Sequence, residues 1–103
     1  MAYSTNEQPF NQMGDGRQVV AEAGTRVQLS STSTKVSKVV VSAIPTNANY
    51  ITVGGSTVVA AAGTETGKVL YPGDSETFFV DNLTKIYIDA VVSGNGCTYI
   101  YYR

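Results

Sequence analysis

The chain offers few residues for catalysis, and their types decide which chemistry is open. It contains no histidine and one cysteine, Cys97. Without histidine, Ser-His-Asp and Cys-His nucleophilic systems are excluded, as are most zinc sites. The acids are Glu7, Asp15, Glu22, Glu65, Asp74, Glu76, Asp81 and Asp89. A glycosidase needs two carboxylates about 5–10 Å apart across a sugar cleft. Asp74 and Glu76 have the spacing to share one strand face, but Asp74 follows Pro72-Gly73, where an aspartate serves a turn. Glu76 then reads as a solvated neighbour. Asp74, Asp81 and Asp89 lack the spacing of an EF-hand calcium loop. Gly14-Asp15-Gly16 and Gly94-Asn95-Gly96 are rich in glycine, yet neither sits between a strand and a helix, as a phosphate loop requires. Asn82-Leu83-Thr84 matches a glycosylation sequon and, with no secretory signal, reads as a turn. These observations lead to the expectation of a surface or a joint: no enzyme, no catalytic residue, no cofactor and no metal.

The tyrosines are the other notable group. Tyr99, Tyr101 and Tyr102 crowd the C-terminal segment, and Tyr87 lies in the segment expected to pair beside it. Alternation puts Tyr99 and Tyr101 on one face, with Ile100 and Tyr102 on the other. Cross-strand aromatic pairing accounts for such a cluster. So does a subunit contact, because tyrosine is enriched at interfaces. Cys97 reads either as a small core residue or as a reactive or intermolecular thiol.

The elements that position these residues follow from length and pattern. A chain of 103 residues fits one small domain, and its single cysteine excludes an internal disulfide. Charged residues are 15% of the chain and the net charge is −1. The cations are spread singly among acids, so there is no basic stripe for direct nucleic-acid binding. A nearly neutral surface favours association, hence a homo-oligomer or packed assembly. No stretch is long enough to span a membrane, and the polar N-terminus has no signal-peptide apolar region. The expected location is the cytoplasm of manufacture or a particle that leaves it.

Residues 1–15 are polar, with Tyr3, Phe10 and Met13 as isolated apolar residues and Pro9 opposing a helix. They read as an extended N-terminal arm, either disordered or ordered on a neighbouring subunit through those three anchors. Residues 16–103 form the domain. Strands are expected over 17–23, 25–31, 36–44, 50–53, 57–61, 68–71, 76–80, 85–92 and 97–103, from β-branched and aromatic runs with period-2 alternation. The run at 36–44 is dense enough in valine to be a central strand buried on both faces. Gly54-Gly55 reads as a hairpin turn, Pro72-Gly73 as a type II turn, and Ser93-Gly94-Asn95-Gly96 as the strongest hairpin signal. Asp89 falls on the outward side of its strand, opposite Ile86 and Ile88. Val39, Val41, Leu70, Phe78, Val80, Ile86 and Ile88 are the expected core. The rhythm is that of a single antiparallel β-sandwich, jelly-roll-like or immunoglobulin-like.

From Val36 onward the order of elements resembles small virion-associated β-sandwich proteins of tailed bacteriophages, of the head decoration or capsid cement type. The likeness runs through VSKVVVSAI, the Val-Gly-Gly turn, Leu-x-Pro-Gly-Asp-Ser before an aromatic strand, the Gly-Asn-Gly turn and the tyrosine-rich end. It implies a structural virion protein whose partners are the major capsid protein or other virion subunits. Tyr3, Phe10, Met13, Tyr99 and Tyr101 are the expected partner-contact residues. The alternative is a binding module for glycan or host-surface attachment, with Tyr87 and Tyr99 as its aromatic platform.

Overall fold

Alternation is clearest in the valine-rich segment, where Lys38–Ala43 runs half-buried, buried, half-buried, buried, half-buried, buried. A computed structural model describes residues 12–103. Its strands are β1 (Met13–Val19), β2 (Val27–Gln28), β3 (Lys38–Ala43), β4 (Ile51–Gly54), β5 (Lys68–Leu70), β6 (Ser75–Phe78), β7 (Tyr87–Ala90) and β8 (Gly96–Tyr102). They form two four-stranded sheets, ordered β1-β8-β3-β6 and β2-β7-β4-β5. All neighbours pair antiparallel. Consecutive strands share a hydrogen-bonded edge only at β4–β5; every other connection passes from one sheet to the other. This is the jelly-roll form of the expected sandwich.

The inner faces interdigitate between the sheets. Val39, Val41, Ala43 and Cys97 come from the first sheet, and Ile51, Val53, Leu70, Ile88 and Ala90 from the second, all buried. Val20, Leu29, Val36, Leu83 and Ile86 plug the rims. Each large aliphatic side chain so buried contributes roughly 1.5–3 kcal/mol. Of the expected core residues, Phe78 and Val80 are only half-buried and pack against the cluster from its margin. The open side between edge strands β5 and β6 is crossed by Lys68 and Glu76, 3.8 Å apart. Inward-pointing charge of this kind marks a sheet edge that is defended against further pairing.

Several local expectations are corrected by tertiary context. The first strand begins at Met13, so Met13, Gly14 and Asp15 of the expected arm segment pair with Tyr102, Tyr101 and Ile100. Residues 57–61 form no strand; Val59 makes a single bridge to Thr66, and β4 pairs instead with β5. The expected strand at 85–92 starts with a 3-10 turn, Leu83–Lys85, which Asn82 caps by accepting from the Thr84 N–H. Strand β3 is central but not buried on both sides, since Val40 is half-exposed. The Ser93–Gly96 turn joins strands in different sheets, so it is a crossing and not a hairpin. Gly94 adopts φ 90°, its N–H bonds the Val20 carbonyl, and the Asn95 side chain accepts from the Ala48 and Asn49 N–H groups. Those long-range bonds steer the exit of the turn away from β7. The Tyr71–Asp74 turn forms as expected, with the Asp74 N–H 2.8 Å from the Tyr71 carbonyl and Gly73 at φ 90°.

Asp89 is the largest departure: it is buried, although it points away from the sandwich core. Two loops roof the outer face of its sheet. Asp89 Oδ1 accepts from the Gly24 N–H at 3.1 Å and Oδ2 from the Ala60 N–H at 3.0 Å, one bond to each loop. Val58 and Ala60 are buried under the same roof, and Arg26 donates to the Val58 carbonyl. Thr52, paired with Asp89 across β4 and β7, is fully buried there, and its hydroxyl has no hydrogen-bond partner among the described residues. The outer face of the other sheet has no comparable roof among the described residues.

Candidate interaction surface

The outer face of β1-β8-β3-β6 can be read off its register. One row runs Met13, Tyr102, Lys38 and, one residue past β6, Phe79. The next runs Asp15, Ile100, Val40 and Thr77, and the third Arg17, Thr98, Ser42 and Ser75. Met13 is 68% exposed, Phe79 76% and Ile100 40%, high values for large apolar side chains. With half-buried Val40 and Tyr102 they make an apolar band across four strands. The Lys38 ammonium lies 4.8 Å from the Tyr102 ring centroid, so its charge rests on an aromatic face inside the band. The hydroxyls of Ser42 and Ser75 bond at 2.7 Å on the third row. Apolar surface gathered in one place on a folded domain marks an interaction site more often than scattered exposure does.

The expected contact residues divide. Tyr3 and Phe10 lie outside the described residues. Met13 stands on the outer face, whereas Tyr99 and Tyr101 turn inward, half-buried against the core cluster. Their rings stack on each other, centroids 6.4 Å apart, and lie over Gly16 and Gly14, their cross-strand partners in β1. Burial raises the Tyr99 phenol's pKa. The structure therefore groups Met13 with Ile100 and Tyr102, not with Tyr99 and Tyr101. Alternation already separates these two sets, and the same rule turns Phe79 outward once Phe78 turns inward. The contribution of Phe79 was legible on that ground but hidden by the aromatic run itself.

The remaining chemical groups have structural partners. Asp74 accepts from the Tyr71 N–H, and Glu76 meets Lys68. Asn82 of the sequon caps the 3-10 turn and also accepts from the Thr34 N–H. Tyr50 donates to Glu65 at 2.5 Å; that bond raises the Tyr50 phenol to about 12 and lowers the Glu65 carboxyl. Lys85 holds the Asp81 carboxyl below its ordinary value across 2.8 Å. These two residues, with Val36, Ser37, Phe79 and Val80, line a shallow surface depression next to the exposed end of the band. Tyr87 and Tyr99 lie in different sheets and share no face, so they do not combine into a platform. Among the described residues, no three His, Cys, Asp or Glu side chains gather as metal ligands would.

No family model and no curated protein matches the chain. A solved structure of Bacillus endospore appendages, described as a novel family of disulfide-linked pili, is similar at 17% identity and a TM-score of 0.46. That likeness covers 99% of this chain and 96% of the appendage chain, and at this score it carries no argument.

Proposed function

We propose that the chain is a structural subunit that works in many copies, packing on the shell of a phage particle as a decoration or cement protein. The observation that carries the structural reading is the asymmetry of the sandwich. Among the described residues, one outer face is roofed by its own loops, while the other exposes Met13, Ile100 and Phe79, with half-buried Val40 between them, as an apolar band. A flat, weakly charged band suits packing against another protein surface better than capture of a small molecule, which calls for a concave site. Many weak contacts on one shell reinforce each other through effective concentration. The shell as partner is supported by the order of turns and strands from Val36 onward, with its resemblance to virion proteins.

Co-sedimentation with phage shells lacking this chain tests the reading. Stoichiometric binding in multiple copies per shell, with a raised thermal stability of the shell, is the expected result. A chain that stays in the supernatant at every concentration, or that binds immobilised glycans instead, would overturn it.

A further inference from the structure

The edge strand β1 carries a sequence complementary to itself, and we infer that it pairs antiparallel with β1 of a second copy, joining two β1-β8-β3-β6 sheets edge to edge. The inference deepens the assembly reading above, which supplies its purpose, while the strand register supplies its geometry.

Hydrogen bonds at the two ends of β1 fix which way its backbone faces. The Arg103 N–H donates to the Gln12 carbonyl at 3.0 Å, and the Val20 N–H to the Asn95 carbonyl at 2.9 Å. Between those ends the register pairs Gly14, Gly16 and Gln18 with Tyr101, Tyr99 and Cys97. Backbone groups alternate in direction along an antiparallel pair, so these residues turn their N–H and C=O groups to β8. Met13, Asp15, Arg17 and Val19 turn theirs to the open edge. The Gln18 side chain accepts from the Val19 N–H at 3.0 Å. Among the described residues, nothing bonds the open-edge backbone groups of Met13, Asp15 or Arg17. The other edges are less suited to pairing: β2 spans two residues, and the Lys68–Glu76 ion pair crosses β5 and β6. Strand β1 has seven residues, with no proline and no inward-pointing charge to defend it.

A two-fold axis normal to the sheet at Gly16 matches the two open edges. Asp15 then lies opposite the second copy's Arg17, and Arg17 opposite its Asp15. Met13 lies opposite its Val19, and Val19 opposite its Met13. Each Asp–Arg pair exchanges two backbone hydrogen bonds. Each Met13–Val19 pair adds one from the Met13 N–H to the Val19 carbonyl, with the Gln18 side chain left in place. Asp15 and Arg17 are both exposed, so opposite charges stand side by side at each pair. A slide of one strand by two residues is the smallest shift that keeps these backbone groups facing. It sets Asp15 against Asp15 or Arg17 against Arg17, and like charges directly opposite are destabilising. The order of charges along β1 therefore selects one register, and an isologous contact of this kind closes after two copies.

A single strand edge buries well under the roughly 800 Å² per partner of a standard interface. The pairing is accordingly weak for the free chain, with a dissociation constant at high micromolar concentration or above. It becomes effective where copies are held side by side.

Sedimentation of the full chain from about 10 μM to about 1 mM tests the inference. The natural chain should dimerise reversibly as its concentration rises. Asp15→Arg and Arg17→Asp should each weaken self-association at least tenfold, because each sets like charges opposite. Mixed together, the two variants should dimerise with one another, since every arginine of one then faces an aspartate of the other. The double swap keeps the net charge of the natural chain and should restore self-association. Melting curves should stay in place, as both side chains are exposed. Asp15→Pro removes an outward N–H and no bond to β8, so it should also leave the chain monomeric, and it repeats the test if a charge variant disturbs the fold. A natural chain that stays monomeric at about 1 mM would overturn the pairing. So would single variants that associate as the natural chain does, or a mixture that associates no better than either variant alone. Failure to bind phage shells leaves this outcome unaffected, because no shell is present in the experiment.

Discussion

Cys97 faces the sandwich interior, fully buried, and burial pushes its thiol from an ordinary 9.0 up to about 12. A neutral, inaccessible thiol is neither a nucleophile nor a ready disulfide partner. The pKa is raised in the folded state, so the sign of the linkage is fixed. The stability contributed by the neutral thiol is intact below about pH 9 and falls as pH rises toward about 12. Urea midpoints measured from about pH 8 to about pH 11 should therefore drop more steeply for the natural chain than for Cys97→Ala. Parallel alkaline limbs would show that burial does not hold the proton. Asp89 is a second residue whose surroundings reset its role. Its type and parity indicate a solvated carboxylate, yet it ties two loops through backbone N–H groups.

Strand β1 explains how a weak element is held at a sheet edge. Glycine inside a strand costs roughly 0.5–1 kcal/mol relative to alanine, and β1 carries two, Gly14 and Gly16. The rings of Tyr101 and Tyr99 lie across them and fill the space that their missing side chains leave. Aromatic cover of edge glycines restores packing and pins register. A methyl group at Gly16 would meet the Tyr99 ring, so Gly16→Ala should destabilise the natural chain by about 1 kcal/mol. In a Tyr99→Ala background the same change should be neutral or stabilising, because alanine orders a strand better than glycine. A double-mutant cycle on denaturation free energies checks this. A coupling energy near zero would separate the ring from the glycine.

For the whole molecule, the boundary between arm and domain decides what a truncation does. An arm ending at residue 15 predicts that removing 1–15 spares the fold. The structure places Met13, Gly14 and Asp15 in β1, paired with β8, and bonds the Arg103 N–H to the Gln12 carbonyl. Removing residues 1–11 should leave the melting temperature nearly unchanged. Removing 1–15 should lower it by about 5–10 °C, since about 1 kcal/mol moves a domain of this size by roughly 4–8 °C. Differential scanning calorimetry of the two truncations checks the boundary, and equal melting temperatures would move it.

Period-2 alternation determined the all-β class and most of the core, since burial of Val39, Val41, Leu70 and Ile88 depends only on which way successive side chains point. Turn chemistry determined where strands end, as at Tyr71–Asp74, because proline and glycine act on their own dihedrals. The lack of histidine excluded histidine-dependent triads whatever the fold. Tertiary structure alone decided which sheet each strand joins, and so turned an apparent Gly-Asn-Gly hairpin into a sheet-to-sheet crossing. It alone decided that loops cover Asp89 and Thr52 while Ile100 and Phe79 stay exposed. Alternation and turn dihedrals are local properties, encoded within a few residues. Strand partners and loop cover join segments tens of residues apart, and the energy that selects them exists only once those segments meet.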